Sequence, residues 1–247
     1  MEKIPIEIIK EFLKYLNKAD NYVLLFVCKK IALIVGKQEN KLIMDEIIKY
    51  GSVNQLLWFE SLGNKYDRDK ICKISVTGGN LEVLKYAHKN GYHWNKNTCN
   101  YAALNGQLEC LKYAHENKCP WNIDTCTYAS INGHLECLKY AHDNKCPWNK
   151  ETCRNAAANG HLDCLKYAHE NGCPWNKDTC SNAAKYGHLD CLKYAHENGC
   201  PAGDKRMIFS AAKNDHLHII QYCYDNGFVW SGYEIFRDRN GNGIILH

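Results

Sequence analysis

The sequence predicts an all-α solenoid of short helix–turn–helix repeats, and three observations carry that prediction. The first is a period of 27 residues: Leu57, Leu84, Leu111, Leu138, Leu165 and Leu192 keep it, as do Cys72, Cys99, Cys126, Cys153 and Cys180 and the tryptophans Trp94, Trp121, Trp148 and Trp175. The second is that apolar residues within a period recur at helical spacing, with no run of strand period. The third is punctuation, because each period holds two Asn-Gly or equivalent stops, such as Asn159 with Gly160 and Asn171 with Gly172. Two helices shorter than about 12 residues do not stand alone in water. Neighbouring units must therefore stack to bury their apolar faces.

The elements follow in order. Residues 1–40 lie outside the period and read as an amphipathic helical segment, and residues 41–247 form about seven units. The unit around Ile47 to Leu62 is diverged, as a terminal unit that covers the last apolar face should be. Residues 149–172 represent the regular ones. Asn149 caps a helix N-terminus and Glu151 sits in its first turn, where a negative charge suits the dipole. Cys153, Ala156 and Ala157 supply small apolar positions for close packing. Asn159 and Gly160 end this helix. A second helix presents Leu162, Leu165 and Ala168 on one face, with Cys164 beside it. Asn171 and Gly172 stop it, and Cys173, Pro174 and Trp175 turn to the next unit. After Pro201 the period slips to 28, the next unit degenerates to Ile219, Ile220, Gln221 and Tyr222, and half a unit closes the chain.

Composition narrows the function classes. Lys and Arg number 31 against 27 Asp and Glu, a net charge of +4 that is too small and too dispersed to name a polyanionic partner, so nucleic acid is disfavoured. No run of 18 apolar residues is present, and the charged N-terminus does not read as a signal peptide. The 15 cysteines are about 6% of 247 residues, below the density of a small disulfide scaffold, and odd in number. A reducing intracellular compartment such as the cytoplasm follows as the expectation.

Thr179 to Leu189, with Ala183 and Ala184 leading to Gly187, His188 and Leu189, resembles the core of an ankyrin repeat. Cys191, Leu192, Lys193 and Tyr194 with Asn198 and Gly199 fit the second ankyrin helix and its stop. The family's Thr-Pro-Leu-His opening is reduced to Thr-Cys, and the unit has 27 residues where the family has about 33. The missing residues would come from the protruding hairpin finger. This short form, rich in Cys-Pro-Trp, looks like the ankyrin arrays of giant viruses that infect amoebae, which implies a viral protein acting in the host cytoplasm.

The N-terminal segment resembles an F-box, on Ile4-Pro5-Ile6-Glu7-Ile8, Leu13, Leu16, Asp20 and Val27-Cys28-Lys29-Lys30-Ile31. Such a segment docks on the adaptor subunit of cullin-based ubiquitin ligases. The resemblance places that contact on Ile4, Pro5, Ile8, Leu16 and Val27, while Ile4 stands for the family's Leu and Ile31 for its frequent Trp. Read on its residues alone, the segment is a helical cap covering the first repeat.

The candidate binding residues are those that vary between copies whose neighbours stay fixed. On the first helices these are Asn100, Tyr101 and Leu104, then Thr127, Tyr128 and Ile131, then Arg154 and Asn155 with Ala158, then Ser181, Asn182, Lys185 and Tyr186. Their i, i+1, i+4 spacing puts them on one helix face. The ankyrin resemblance implies that this face lines a concave groove for a protein target, and Tyr and Arg there suit hot spots. Drift at solvated positions accounts for the same variation. Lys139, Glu136 and Asp143 recur instead and read as a solvated outer face.

Catalytic, metal and cofactor chemistry finds no support in the pattern. Close Cys-x-x-Cys or His-x-x-x-His pairs, which a zinc site favours, are missing, and Cys110 and Cys119 are nine residues apart. Equivalent thiols on adjacent helices should lie about 8–10 Å apart, beyond the reach of about 7 Å within which disulfides close. Repeated Cys therefore reads as packing. A nucleophile needs a singular Cys or Ser, whereas each Cys here has copies, and the ladder His88, His115, His142, His169 and His196 reads by the same logic as inter-repeat packing. The stretch from Asp238 to Gly243 has a calcium-loop look without the closing Glu.

Overall fold

The computed structural model describes residues 37–61, 70–201 and 205–228 and two short strands, 236–237 and 243–244. The ligase-docking positions Ile4, Pro5, Ile8, Leu16 and Val27 lie outside the described residues.

Fourteen helices are present among the described residues, in seven consecutive pairs. They are α1 (Lys37–Tyr50) with α2 (Val53–Ser61), α3 (Ile71–Gly78) with α4 (Leu81–Lys89), and α5 (Lys96–Leu104) with α6 (Leu108–Glu116). Then come α7 (Ile123–Ile131) with α8 (Leu135–Asp143), α9 (Lys150–Ala158) with α10 (Leu162–Glu170), α11 (Lys177–Lys185) with α12 (Leu189–Glu197), and α13 (Lys205–Lys213) with α14 (Leu217–Asp225). The chain divides into two compact units between Pro120 and Trp121. In the first, α1, α3 and α5 pack side by side, and α2, α4 and α6 do the same. In the second, α7, α9, α11 and α13 form one row, and α8, α10 and α12 another.

Local chemistry explains why each pair forms. The Asn149 side chain accepts a hydrogen bond from the Glu151 amide at 2.9 Å, and Asn95 and Asn176 cap α5 and α11 in the same way. At the C-terminus of α10, the Cys173 amide donates to Ala168 O at 2.9 Å across a left-handed Gly172, and Asn171 Nδ2 donates to Tyr167 O. Thus the sequence stops become observed caps. The connection from α8 to α9 is residues 144–149, with no strand in it, so the hairpin finger is cut to a tight turn.

The core is two-sided. First helices contribute Cys153, Ala156 and Ala157, all fully buried, and their small size lets α7, α9 and α11 approach closely. Second helices contribute Cys164, Leu165 and Ala168, and Leu111, Leu138, Leu165 and Leu192 are each fully buried. Each such leucine stabilises its pair by about 1.5–3 kcal/mol. The first and last pairs bury larger residues: Met44, Ile47, Ile48 and Leu56 in the first, and Met207, Ile208, Ile219 and Ile220 in the last. The described part of the C-terminal segment is an antiparallel strand pair, Phe236–Arg237 with Gly243–Ile244.

Candidate functional site

The first helices carry the positions that vary between repeats. In the first unit Tyr101 and Leu104 of α5 are half-buried. Tyr101 lies under Lys73 of α3, whose Nζ is 4.2 Å from the ring centroid, so this aromatic face is already engaged by a cation. Asn100 corrects the sequence reading, because at 2% exposure it belongs to the interior rather than to an open face. Its copies Thr127, Arg154 and Ser181 are half-buried.

In the second unit α7, α9 and α11 pack in order, which aligns the varying residues in columns. Thr127, Arg154 and Ser181 form one column, and Tyr128, Asn155 and Asn182 the next, all half-buried. Several are held locally. Arg154 pairs with Glu151 one turn back, Thr127 Oγ1 donates to Ile123 O at 3.1 Å, and Asn182 Nδ2 donates to Asp178 O at 2.7 Å. Ile131 is half-buried, and its carbonyl meets His161 Nε2 of the next repeat at 3.0 Å. Lys185 and Tyr186 are open to solvent, with Lys185 Nζ 4.9 Å from the Tyr186 ring centroid and Tyr186 49% exposed. The face is a mixed strip of amide, hydroxyl, aromatic and basic groups whose side chains are partly fixed before any ligand arrives.

A second feature was legible only in part, since the histidine ladder read as inter-repeat packing while the tryptophans read as turn residues. His88, His142 and His169 stack on Trp94, Trp148 and Trp175 with ring centroids 4.0, 3.9 and 3.7 Å apart. Each histidine Nδ1 also meets a tyrosine hydroxyl of the following repeat: Tyr113 at 2.9 Å, Tyr167 at 3.0 Å and Tyr194 at 3.0 Å. His196 keeps its tyrosine, Tyr222, but Phe228 replaces the tryptophan. The Tyr167 hydroxyl is pushed up to about 12, first by burial and then by the Asp143 carboxylate that accepts its proton at 3.2 Å. The signal in the sequence was the shared step of His, Trp and Tyr, which marks one cluster per repeat. These clusters use the imidazoles for stacking and bonding.

Among the described residues no group of three or more His, Cys, Asp or Glu side chains converges as a metal site would require. No described helix is long and apolar enough to cross a membrane.

No family model matches the chain, and no curated protein matches it by sequence. Among solved structures the chain is similar to the human ASB11 ankyrin repeat domain, with a TM-score of 0.57 at 18% identity, over 70% of this chain and 88% of that one. That likeness, with the paired helices and tight turns above, establishes an all-α ankyrin-repeat fold. Identity this low speaks to fold alone.

Proposed function

We propose that the chain is a non-catalytic protein-binding module in which residues 41–247 hold a target and residues 1–40 present it to a cullin-type ubiquitin ligase. The observation that carries the binding half is the contrast within each first helix. Cys153, Ala156 and Ala157 repeat and are buried, while Arg154, Asn155 and their copies vary on the half-exposed side. A repeat that holds its packing constant while changing its outer residues offers a surface that can differ along its length. Tyr128, Arg154, Lys185 and Tyr186 give that surface the aromatic and cationic groups that dominate protein hot spots. The ligase half rests on the F-box resemblance of Ile4, Pro5, Ile8, Leu16 and Val27. The short Cys-Pro-Trp repeat further supports a viral protein working on a host target in the cytoplasm.

The second reading is an ankyrin scaffold or inhibitor of a host protein with no ligase link, the N-terminal segment being a helical cap. Binding of the purified full chain to the ligase adaptor subunit separates the two. The ligase reading expects a complex that is lost when Ile4 and Pro5 are both changed to Ala. A wild-type chain that does not bind the adaptor leaves only the scaffold. Tyr128→Ala with Tyr186→Ala should then abolish target capture while the helical signal stays unchanged. Capture that persists in this variant removes these groups from the binding face.

A further inference from the structure

Equivalent cysteines are one repeat apart, but the fold brings together cysteines that are not equivalent. Cys153 lies in the first half of α9 and Cys173 in the turn that leaves α10. The Cys153 sulfur is 3.9 Å from the Cys173 carbonyl oxygen, and the two thiols are near enough to perturb each other. Cys126 with Cys146 repeats this contact, and so do Cys180 with Cys200 and Cys99 with Cys119.

The turn cysteine of each pair sits at the N-terminal end of a first helix. As a thiol, Cys173 donates to the carbonyl of the cap residue Asn149 at 3.2 Å. Thr152, one residue before Cys153, is fully buried, and its hydroxyl has no hydrogen-bond partner; Thr179 beside Cys180 is in the same state. Each hydroxyl bears electrostatically on a turn sulfur, Thr152 on Cys173 and Thr179 on Cys200. A buried donor without an acceptor is costly, and its presence points to an acceptor that forms there. An ionised turn sulfur is such an acceptor. The Cys153 thiol, the Cys153 amide and the Thr152 hydroxyl hold the Cys173 thiol below its ordinary value, whereas burial pushes the second-helix thiols Cys164 and Cys191 up to about 12. The nearby Cys173 thiol, reinforced by burial, pushes Cys153 the opposite way, which makes it the proton donor of the pair. Cys173 is also the outer member, at 3% exposure against 0% for Cys153.

We propose that these four cysteine pairs are modification sites, dithiols that hydrogen peroxide closes to disulfides between the first helix and the following turn of the same repeat. The Cys173 thiolate attacks one peroxide oxygen, the O–O bond breaks, and the departing hydroxide takes a proton to leave as water. The sulfenic acid so formed is attacked by the Cys153 sulfur, whose proton leaves with the sulfenic oxygen as a second water. Two thiols and one peroxide thus become one disulfide and two waters, with sulfur oxidised and oxygen reduced.

The test uses the reduced full chain treated with hydrogen peroxide under native conditions, then alkylated, digested with trypsin without reduction and mapped by mass spectrometry. The expected result is loss of thiols two at a time, with the peptide holding Cys153 joined to that holding Cys173, and Cys180 joined to Cys200. Thr152→Val should slow closure of the Cys153 and Cys173 pair several-fold without changing the helical signal. Cys173→Ser should leave Cys153 reduced at the same dose. Thiols that all survive peroxide in the folded chain overturn the proposal, and so do cross-links running mainly to Cys164 or Cys191. The same cross-link distribution in guanidinium-unfolded chain also overturns it, because pairing would then owe nothing to the fold.

Discussion

His169 Nδ1 lies 3.0 Å from the Tyr194 hydroxyl of the next repeat, while its ring stacks at 3.7 Å on Trp175 of the turn between them. One imidazole thereby ties two repeats and their connecting turn. The stacked rings bury apolar surface, and the hydrogen bond fixes the register of the tyrosine.

Removing that bond tests the tie. Tyr194→Phe keeps the ring and deletes the hydroxyl, so it should cost about 1 kcal/mol. The loss is read as a lower denaturant midpoint with an unchanged slope, followed by Trp175 fluorescence.

Gly160 is held by two constraints at once. Its φ is +74°, and a Cβ there would stand 2.6 Å from His188 Nδ1 of the next repeat. Gly172 has φ +81° with nothing within 4 Å of the same added carbon. Gly172→Ala should therefore lose about 1 kcal/mol for the left-handed backbone alone. Gly160→Ala should lose clearly more, since the His188 ring must move as well. Equal losses in thermal unfolding would show that the ring yields freely.

Lys145 occupies the left-handed position, φ 67°, that Gly172 and Gly199 occupy in sister repeats. Relief of that strain should make Lys145→Gly more stable by about 0.5–1 kcal/mol, against the usual direction for a glycine substitution. Chemical denaturation of the single variant decides the sign.

Stability should fall as the medium is acidified below about pH 6.5. Burial is the leading cause that lowers the His188 imidazole from its ordinary value, and it does the same to His115. The unfolded chain then binds protons near pH 6.5 that the folded chain resists, so the folded state loses ground as pH falls and regains it as pH rises. His188→Gln should flatten this dependence. Gln107 already stands against Gly79 where the later repeats place His against Gly, so the side chain fits. Melting temperatures at pH 7.5 and 5.5 measure the difference.

Much of this structure was readable from local pattern. The caps at Asn149 and Asn176, the stops at Gly160 and Gly172, and the burial of Leu111, Leu138, Leu165 and Leu192 each follow from residues within one or two helical turns. On the candidate face Lys185 and Tyr186 are exposed, as variation at a surface position suggests. The burial of Asn100 was not legible: whether a polar side chain sinks inward depends on the neighbouring helix, which local spacing does not describe.

The repeat, its two helices, their ends and their apolar faces are set by short-range periodicity and backbone preference, and so are legible in the residues alone. Which repeated residues meet depends instead on how whole helices pack. Cys153 finds Cys173 rather than Cys126 or Cys180, and His169 finds Trp175 and Tyr194. Residues 20 or 25 apart in the chain come together because two short antiparallel helices and a tight turn return the chain to its starting level. Pairing across that return is set by the packing of whole elements, and a periodic sequence offers every copy of a residue equally until the packing selects one.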